Sequence, residues 1–218
     1  MVRLSVSALA LAAAAIAQPA AAETRTYDVA AFDRIDVSAG LKVVAAAGGK
    51  QKVTVETDMG DYSDFQIEVD DGVLIVSREW NGLRWRSRKA DYTVFVTAPS
   101  LKGLEASAGS HASVAKVDSK QFLIDISSGA YAEISGKCGM CIVDLSSGAA
   151  LSAVDLVCDR AEVEVSSGGH GQLSVLNELI GDASSGGHAA IYGNPQRVAI
   201  DRSSGGQIKV KPPLQAKN

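Results

Sequence analysis

Apolar and polar residues alternate in short runs along most of this chain, as in Leu104-Glu105-Ala106, Ile124-Asp125-Ile126, Val143-Asp144-Leu145 and Val163-Glu164-Val165. Strict alternation sends successive side chains to opposite faces of an extended backbone, so these runs predict half-buried β-strands. A small tripeptide follows at Ser38-Ala39-Gly40, Ser107-Ala108-Gly109, Ser127-Ser128-Gly129, Ser146-Ser147-Gly148, Ser166-Ser167-Gly168, Ser184-Ser185-Gly186 and Ser203-Ser204-Gly205. From Gly109 onward the glycines recur at intervals of 20, 19, 20, 18 and 19 residues, a period that marks a stacked repeat architecture. A second apolar set, Ala45, Val114, Ile134, Ala153, Leu173, Ile191 and Val210, stands five positions after each glycine. Each repeat therefore reads as strand, turn, strand, with one face buried and glycine supplying the positive φ of a tight corner.

A coil of 19 or 20 residues with one such corner suits a parallel β-solenoid, because antiparallel hairpins show turn signals every 8 to 12 residues or so. The expected fold is all-β, a parallel β-helix of about six to seven coils with the regular repeats over residues 101–210. Gly109 follows Gly40 by 69 residues, so the first coil, within residues 23–100, is interrupted by an insertion. Lys52–Glu56, Phe65–Val69 and Val73–Val76 alternate within it, and Asp70-Asp71-Gly72 is a hairpin signal, so it reads as antiparallel strands that cover one end of the solenoid. Residues 211–218 form a tail in which Pro212-Pro213 would stop strand addition at the other end.

Met1-Val2-Arg3, the apolar run from Leu4 to Ala17, and Pro19-Ala20-Ala21-Ala22 have the parts of a secretory signal peptide, residues 1–22, with cleavage after Ala22. No second stretch is long enough to span a bilayer, and the expected location is periplasmic or extracellular. The net charge of −4 gives no clustered basic footprint for nucleic acid.

Aligning the repeats on their glycines turns apparent motifs into columns. Four positions before the glycine every copy is acidic: Asp36, Glu105, Asp125, Asp144, Glu164, Asp182 and Asp201. Like charges on neighbouring strands repel, so serine hydroxyls two residues on are expected to offset them; a Ca²⁺ between rungs is the sharper alternative and needs six or more oxygen ligands or so. His111, His170 and His188 each fall two positions after a glycine on the solvent side, and two stacked imidazoles without a third ligand make a poor metal site. Cys138-Gly139-Met140-Cys141 looks redox-active, yet nothing predicts the helix start that lowers a thiol pKa. Cys138 and Cys158 each stand ten positions before the next glycine and should be vertical neighbours within disulfide reach, while Cys141 joins a core column with Phe122 and Ala161. Outside the repeat, the loop from Arg78 to Lys89 concentrates both tryptophans and several arginines, making Trp80, Arg84, Trp85, Arg86 and Arg88 the candidate ligand-binding residues for sugars or anionic groups. Its plainer reading is a hairpin tip whose tryptophans pack back on the sheet.

Phe32-Asp33-Arg34-Ile35-Asp36-Val37-Ser38-Ala39-Gly40, Thr97-Ala98-Pro99-Ser100-Leu101, the recurring Asp-x-Ser-Ser-Gly and Gly136-Lys137-Cys138 resemble the auto-transporter adhesin head GIN domain family, long a domain of unknown function. The resemblance spans nearly the whole chain after residue 22 and implies a right-handed β-helix with an antiparallel portion; the family name implies adhesion, and no catalytic residues come with it. No translocator barrel is present in this chain. Carboxylates, serines and histidines that recur with a repeat behave as scaffold, and Ser-Ser-Gly does not make a Gly-x-Ser-x-Gly nucleophile elbow. The sequence therefore predicts a non-enzymatic, cofactor-free envelope-binding module with no metal site, whose partner is a cell-envelope glycan or another surface component. The rival readings are a polysaccharide lyase or hydrolase on the same fold and a purely structural envelope protein.

Overall fold

The computed structural model describes residues 23–58, 61–79 and 91–214. Its first strands are β1 (Glu23–Tyr27), β2 (Arg34–Val37), β3 (Lys42–Ala47), β4 (Lys52–Thr57), β5 (Phe65–Asp70), β6 (Val73–Arg78), β7 (Tyr92–Ala98) and β8 (Gly103–Ala106). Four long strands follow, β9 (His111–Ile126), β10 (Tyr131–Leu145), β11 (Ala150–Val165) and β12 (His170–Ala183), then β13 (His188–Gly193), β14 (Arg197–Arg202) and β15 (Gln207–Lys211). The chain is a parallel β-solenoid with an antiparallel N-terminal region. Each long strand is most of one coil and pairs in parallel with the coils above and below, as in the registers Val143↔Ile124 and Val143↔Val163. Stacked alternating runs bury one continuous apolar column set, with Ile126, Leu145 and Val165 superposed and almost fully buried.

The corner is a type I′ turn. Ser128 and Gly129 have φ of 51° and 71°, and the Ala130 amide donates to the Ser127 carbonyl at 3.0 Å. Both central residues of such a turn need positive φ. The sequence pattern accounts for the glycine but not for the serine or alanine before it, which is left-handed in every copy. Corners also bond to one another: the Gly129 amide donates to the Ser147 carbonyl of the next coil at 3.1 Å, and the Gly148 amide to Ser167 at 3.1 Å. A second bend lies seven residues after the glycine, where Lys116, Gly136 and Gly193 have φ of 60°, 134° and 135°.

The coil number is about five, slightly below the six to seven expected. The corners from Gly109 to Gly205 bound five full circuits; counting corners overstates circuits because the last coil stops at Lys211 and the first is diverted into the insertion. The insertion is also more regular than its alternation implies. β1–β4–β7 and β5–β6 are antiparallel, but β6 runs parallel to β2 and β7 parallel to β3. β6 and β7 thus stack on β2 and β3 and add a rung beneath the first coil.

The two ends close differently. At the N-terminal end Tyr62, Phe65 and Tyr92 pack with ring centroids 5.0–6.4 Å apart. The Arg25 and Arg78 guanidiniums lie 3.9 and 4.6 Å from the centroids of Tyr62 and Tyr92. At the other end Arg202 occupies the inward column filled elsewhere by Val37, Ala106, Ile126, Leu145, Val165 and Ala183, and its Nη2 donates to the Ile208 carbonyl at 2.9 Å. A charge pointing into an open edge discourages strand addition.

Candidate functional site

The acidic column forms a continuous ladder through the registers Asp36↔Glu105, Glu105↔Asp125, Asp125↔Asp144, Asp144↔Glu164, Glu164↔Asp182 and Asp182↔Asp201. Partial desolvation and, second, the neighbouring carboxylates push the Asp36, Glu105 and Asp144 pKa values up. Among the described residues no hydrogen bond joins these carboxylates to the corner serines. The proposed Asp-Ser ladder is therefore not formed by direct contact. The serines instead contribute backbone groups to the turns, and the ladder keeps its repulsion.

Cys138 and Cys158 are register neighbours joined by a disulfide, with Cα atoms 4.5 Å apart. Cys141 is a free, fully buried thiol whose pKa is pushed up to about 12 by burial, so it is inert as a nucleophile. The three sulfurs lie within 4.8 Å of one another, but the disulfide occupies two of them and leaves no thiolate set for a metal. The candidate ligand residues Trp80, Arg84, Trp85, Arg86 and Arg88 lie outside the described residues, as do residues 1–22, for which the sequence predicts a signal peptide.

The most varied described surface is the outer face of the sheet β3–β9–β10–β11–β12–β13–β15. Positions two and four after each glycine point outward on it by parity. The first column runs Lys42, His111, Tyr131, Ala150, His170, His188, Gln207, and the second Val44, Ser113, Glu133, Ser152, Gln172, Ala190, Lys209. His111 and Tyr131 rings approach to 5.9 Å, and the Tyr131 hydroxyl donates to Glu133 Oε1 at 2.6 Å, which raises the Tyr131 pKa. Lys211 Nζ lies 5.3 Å from the Tyr192 ring centroid. His188 Nδ1 is 2.6 Å from the Gly186 carbonyl; a carbonyl only accepts, so Nδ1 carries a proton there and Nε2 is left for another partner.

His170 and His188 are brought side by side, whereas His111 is separated from them by Tyr131 and Ala150. What reading the histidines alone missed is their company. Gln172, Gln207, Lys209 and Lys211 join them around a groove of ≈ 220 Å³ floored by Ala189 and Ala190. Gln207 stands in the histidine column itself, and extending the glycine alignment to the fourth and sixth positions would have found Gln172, Lys209 and Lys211.

A family model described as "Putative auto-transporter adhesin, head GIN domain" matches residues 31–195. No curated protein matches the chain. Among solved structures, a protein of Bacteroides fragilis NCTC 9343 described as a "putative adhesin" superposes with a TM-score of 0.66 at 16% identity, covering 88% of this chain and 99% of that one. A second "putative adhesin", from Parabacteroides distasonis ATCC 8503, superposes with a TM-score of 0.51 at 14% identity, covering 88% and 94%. At these identities the likeness carries the fold. A core disulfide fits an oxidising, exported setting, as does a family named for adhesins. With the family model matching residues 31–195, most of its length, this chain belongs to the auto-transporter adhesin head GIN domain family.

Proposed function

We propose that the chain is a non-enzymatic binding module of the cell envelope, an adhesin-type β-helix whose ligand is a surface glycan. The carrying observation is the outer face of β3–β9–β10–β11–β12–β13–β15. It is broad, and it presents aromatic rings, hydroxyls and amides in register with few charges. Sugars are bound by such surfaces, with rings stacking on aromatic groups and hydroxyls matched to groups that both donate and accept. The acidic column from Asp36 to Asp201, by contrast, repeats along the stack, whereas glycoside hydrolysis needs a pair placed once, about 5–9.5 Å apart across a bond. The segment carrying Trp80, Arg84, Trp85, Arg86 and Arg88 stays with this reading as a second, sequence-based contact.

The test is to probe glycan and peptidoglycan arrays with the chain lacking residues 1–22, then to incubate every bound glycan with the protein and look for cleavage. Binding without new reducing or unsaturated ends is the expected result. Cleavage of a bound polymer would make the chain an enzyme, and a silent array would leave a structural envelope protein.

A further inference from the structure

Resting on that glycan-binding reading, the geometry points to a specific subsite: the groove over Ala190 binds a carboxylate-bearing sugar unit of an acidic polysaccharide. Three observations converge there. The depression exists because Ala190 is a small residue in a column whose neighbours are large. Gln172 and Lys209 pair with it in register on either side, and His188 and Tyr192 flank it along its own strand. Rungs stand ~4.8 Å apart and alternate residues along a strand ~6.6 Å apart, so the walls enclose one ring. The volume of ≈ 220 Å³ is below the roughly 300 Å³ at which drug-sized pockets begin.

The charge is of one sign where it matters. In a chain of net charge −4, Lys209 and Lys211 project from the same face of the last strand, two residues apart. The carboxylate in the same column, Glu133, is three rungs from Ala190 through Ser152 and Gln172. That is ~14 Å, beyond the ~8 Å screening length of physiological salt, so it does not neutralise the lysines at the groove. The polar walls, finally, suit hydroxyls better than a bare anion. Gln172 and Gln207 each offer an amide donor and acceptor, and His188 leaves its Nε2 for a hydroxyl because Nδ1 is held by the Gly186 carbonyl. A fatty acid would use the lysines and leave most of these groups idle, and a phosphate dianion, which has no donor, would leave the amide carbonyl oxygens unmatched. A uronate places its carboxylate on the ammoniums, its ring over the Ala190 methyl and its hydroxyls on the amides and imidazole.

The chain lacking residues 1–22 is tested by affinity electrophoresis and calorimetry against polygalacturonate, alginate and hyaluronan. Methyl-esterified polygalacturonate and dextran serve as uncharged controls, and vesicles of phosphatidylglycerol as a non-sugar anion. The expected result is retention by at least one carboxylated polymer and at least tenfold weaker retention by its esterified or neutral counterpart. K209Q/K211Q and, with charge unchanged, A190L should each weaken it at least tenfold, while circular dichroism and melting temperature stay at wild-type values. Equal binding to charged and neutral polymers, or wild-type binding by both variants, would overturn the subsite and leave the glycan-binding function standing. Loss of vesicle binding alone in K209Q/K211Q would make the groove a lipid-surface contact and overturn it as well. Binding to none of these polymers overturns the subsite; the array, read separately, decides whether the broader function falls with it.

Discussion

The repeated coils from Leu101 to Lys211 and the N-terminal region from Glu23 to Ser100 are built from the same alternating strands, yet they are held together differently. In the coils the residues of the paired stretches have equivalents in the neighbouring coils, outside register shifts such as that after Ala153, and stability comes from columns: Ile126 on Leu145 on Val165 inside, and corner amides bonded from Gly129 to Ser147 and Gly148 to Ser167. The N-terminal region breaks the column rule. Beside the parallel strands β2, β3, β6 and β7, its strands β1, β4 and β5 pair antiparallel, and individual contacts replace stacked equivalents there, such as the Tyr92 hydroxyl sharing its proton between Asp64 Oδ1 at 2.5 Å and the Asp61 carbonyl at 2.7 Å. A solenoid can repeat indefinitely; something unlike the repeat has to end it. The difference also bears on function, because a column repeats whatever chemistry it holds, and a single site needs a place where the column changes, as at Ala190 and Lys209.

The largest effect should come from a lesion in the columns. A Cβ at Gly136 would stand 2.2 Å from the Val117 carbonyl oxygen at a φ of 134°, so Gly136→Ala is expected to cost about 3 kcal/mol or more in chemical denaturation. If Gly136→Ala melts like the parent, the coils are far more compliant than the column picture allows. Next, removing the bond between Cys138 and Cys158, which are 20 residues apart in sequence, should cost about 3 kcal/mol. Comparing the C138A/C158A chain with the parent by urea titration measures it.

In the other region, Tyr92→Phe strips a half-buried hydroxyl from Asp64 and the Asp61 carbonyl and should cost about 1–2 kcal/mol. Hydrogen exchange should show the loss confined to β4, β5 and β7; a loss spread over β10–β12 would contradict the separation of the two regions.

The smallest effect has the opposite sign. Asp144 stands between Asp125 and Glu164, so Asp144→Asn relieves two repulsions and should stabilise the chain by about 0.5–1 kcal/mol at pH 7 and low salt, fading as salt rises. The pH dependence follows from the raised pKa values of Asp36, Glu105 and Asp144. Between the unfolded and the higher folded pKa, the native state binds more protons than the unfolded one, so stability from these groups grows as pH falls through the folded pKa and is complete below the unfolded value. The melting temperature should thus rise on mild acidification toward the carboxylate range, and less so in Asp144→Asn. A melting temperature that only falls on acidification would show that other carboxylates outweigh the ladder.

Much of this was legible in the residues. The glycine period and the flanking apolar positions predict the coils, their register and which residues share a column, so Cys138 and Cys158 could be set opposite each other before any coordinates. The insertion was legible as strands but not as pairings, because alternation reveals the two faces of a strand and says nothing about its neighbour; hence β6 and β7 turned out to extend the parallel stack. The Asp-Ser contact failed for a related reason. Parity puts Asp125 and Ser127 on one face, but the left-handed Ser128 begins the turn immediately afterwards, and the turn commits the Ser127 carbonyl to the Ala130 amide.

The sequence by itself determined the architecture, because a repeat of fixed length has one economical way to bury its apolar positions: stacked on itself. Tertiary structure decided the rest. Only the folded chain shows where the stack ends, with Arg202 closing one edge and aromatic rings the other. Only there do Gln172, His188 and Lys209, spread over 38 positions of sequence, meet around the Ala190 methyl. A groove is made by the unequal sizes and charges of neighbours in space, and residues a coil apart become neighbours only once the coils have closed.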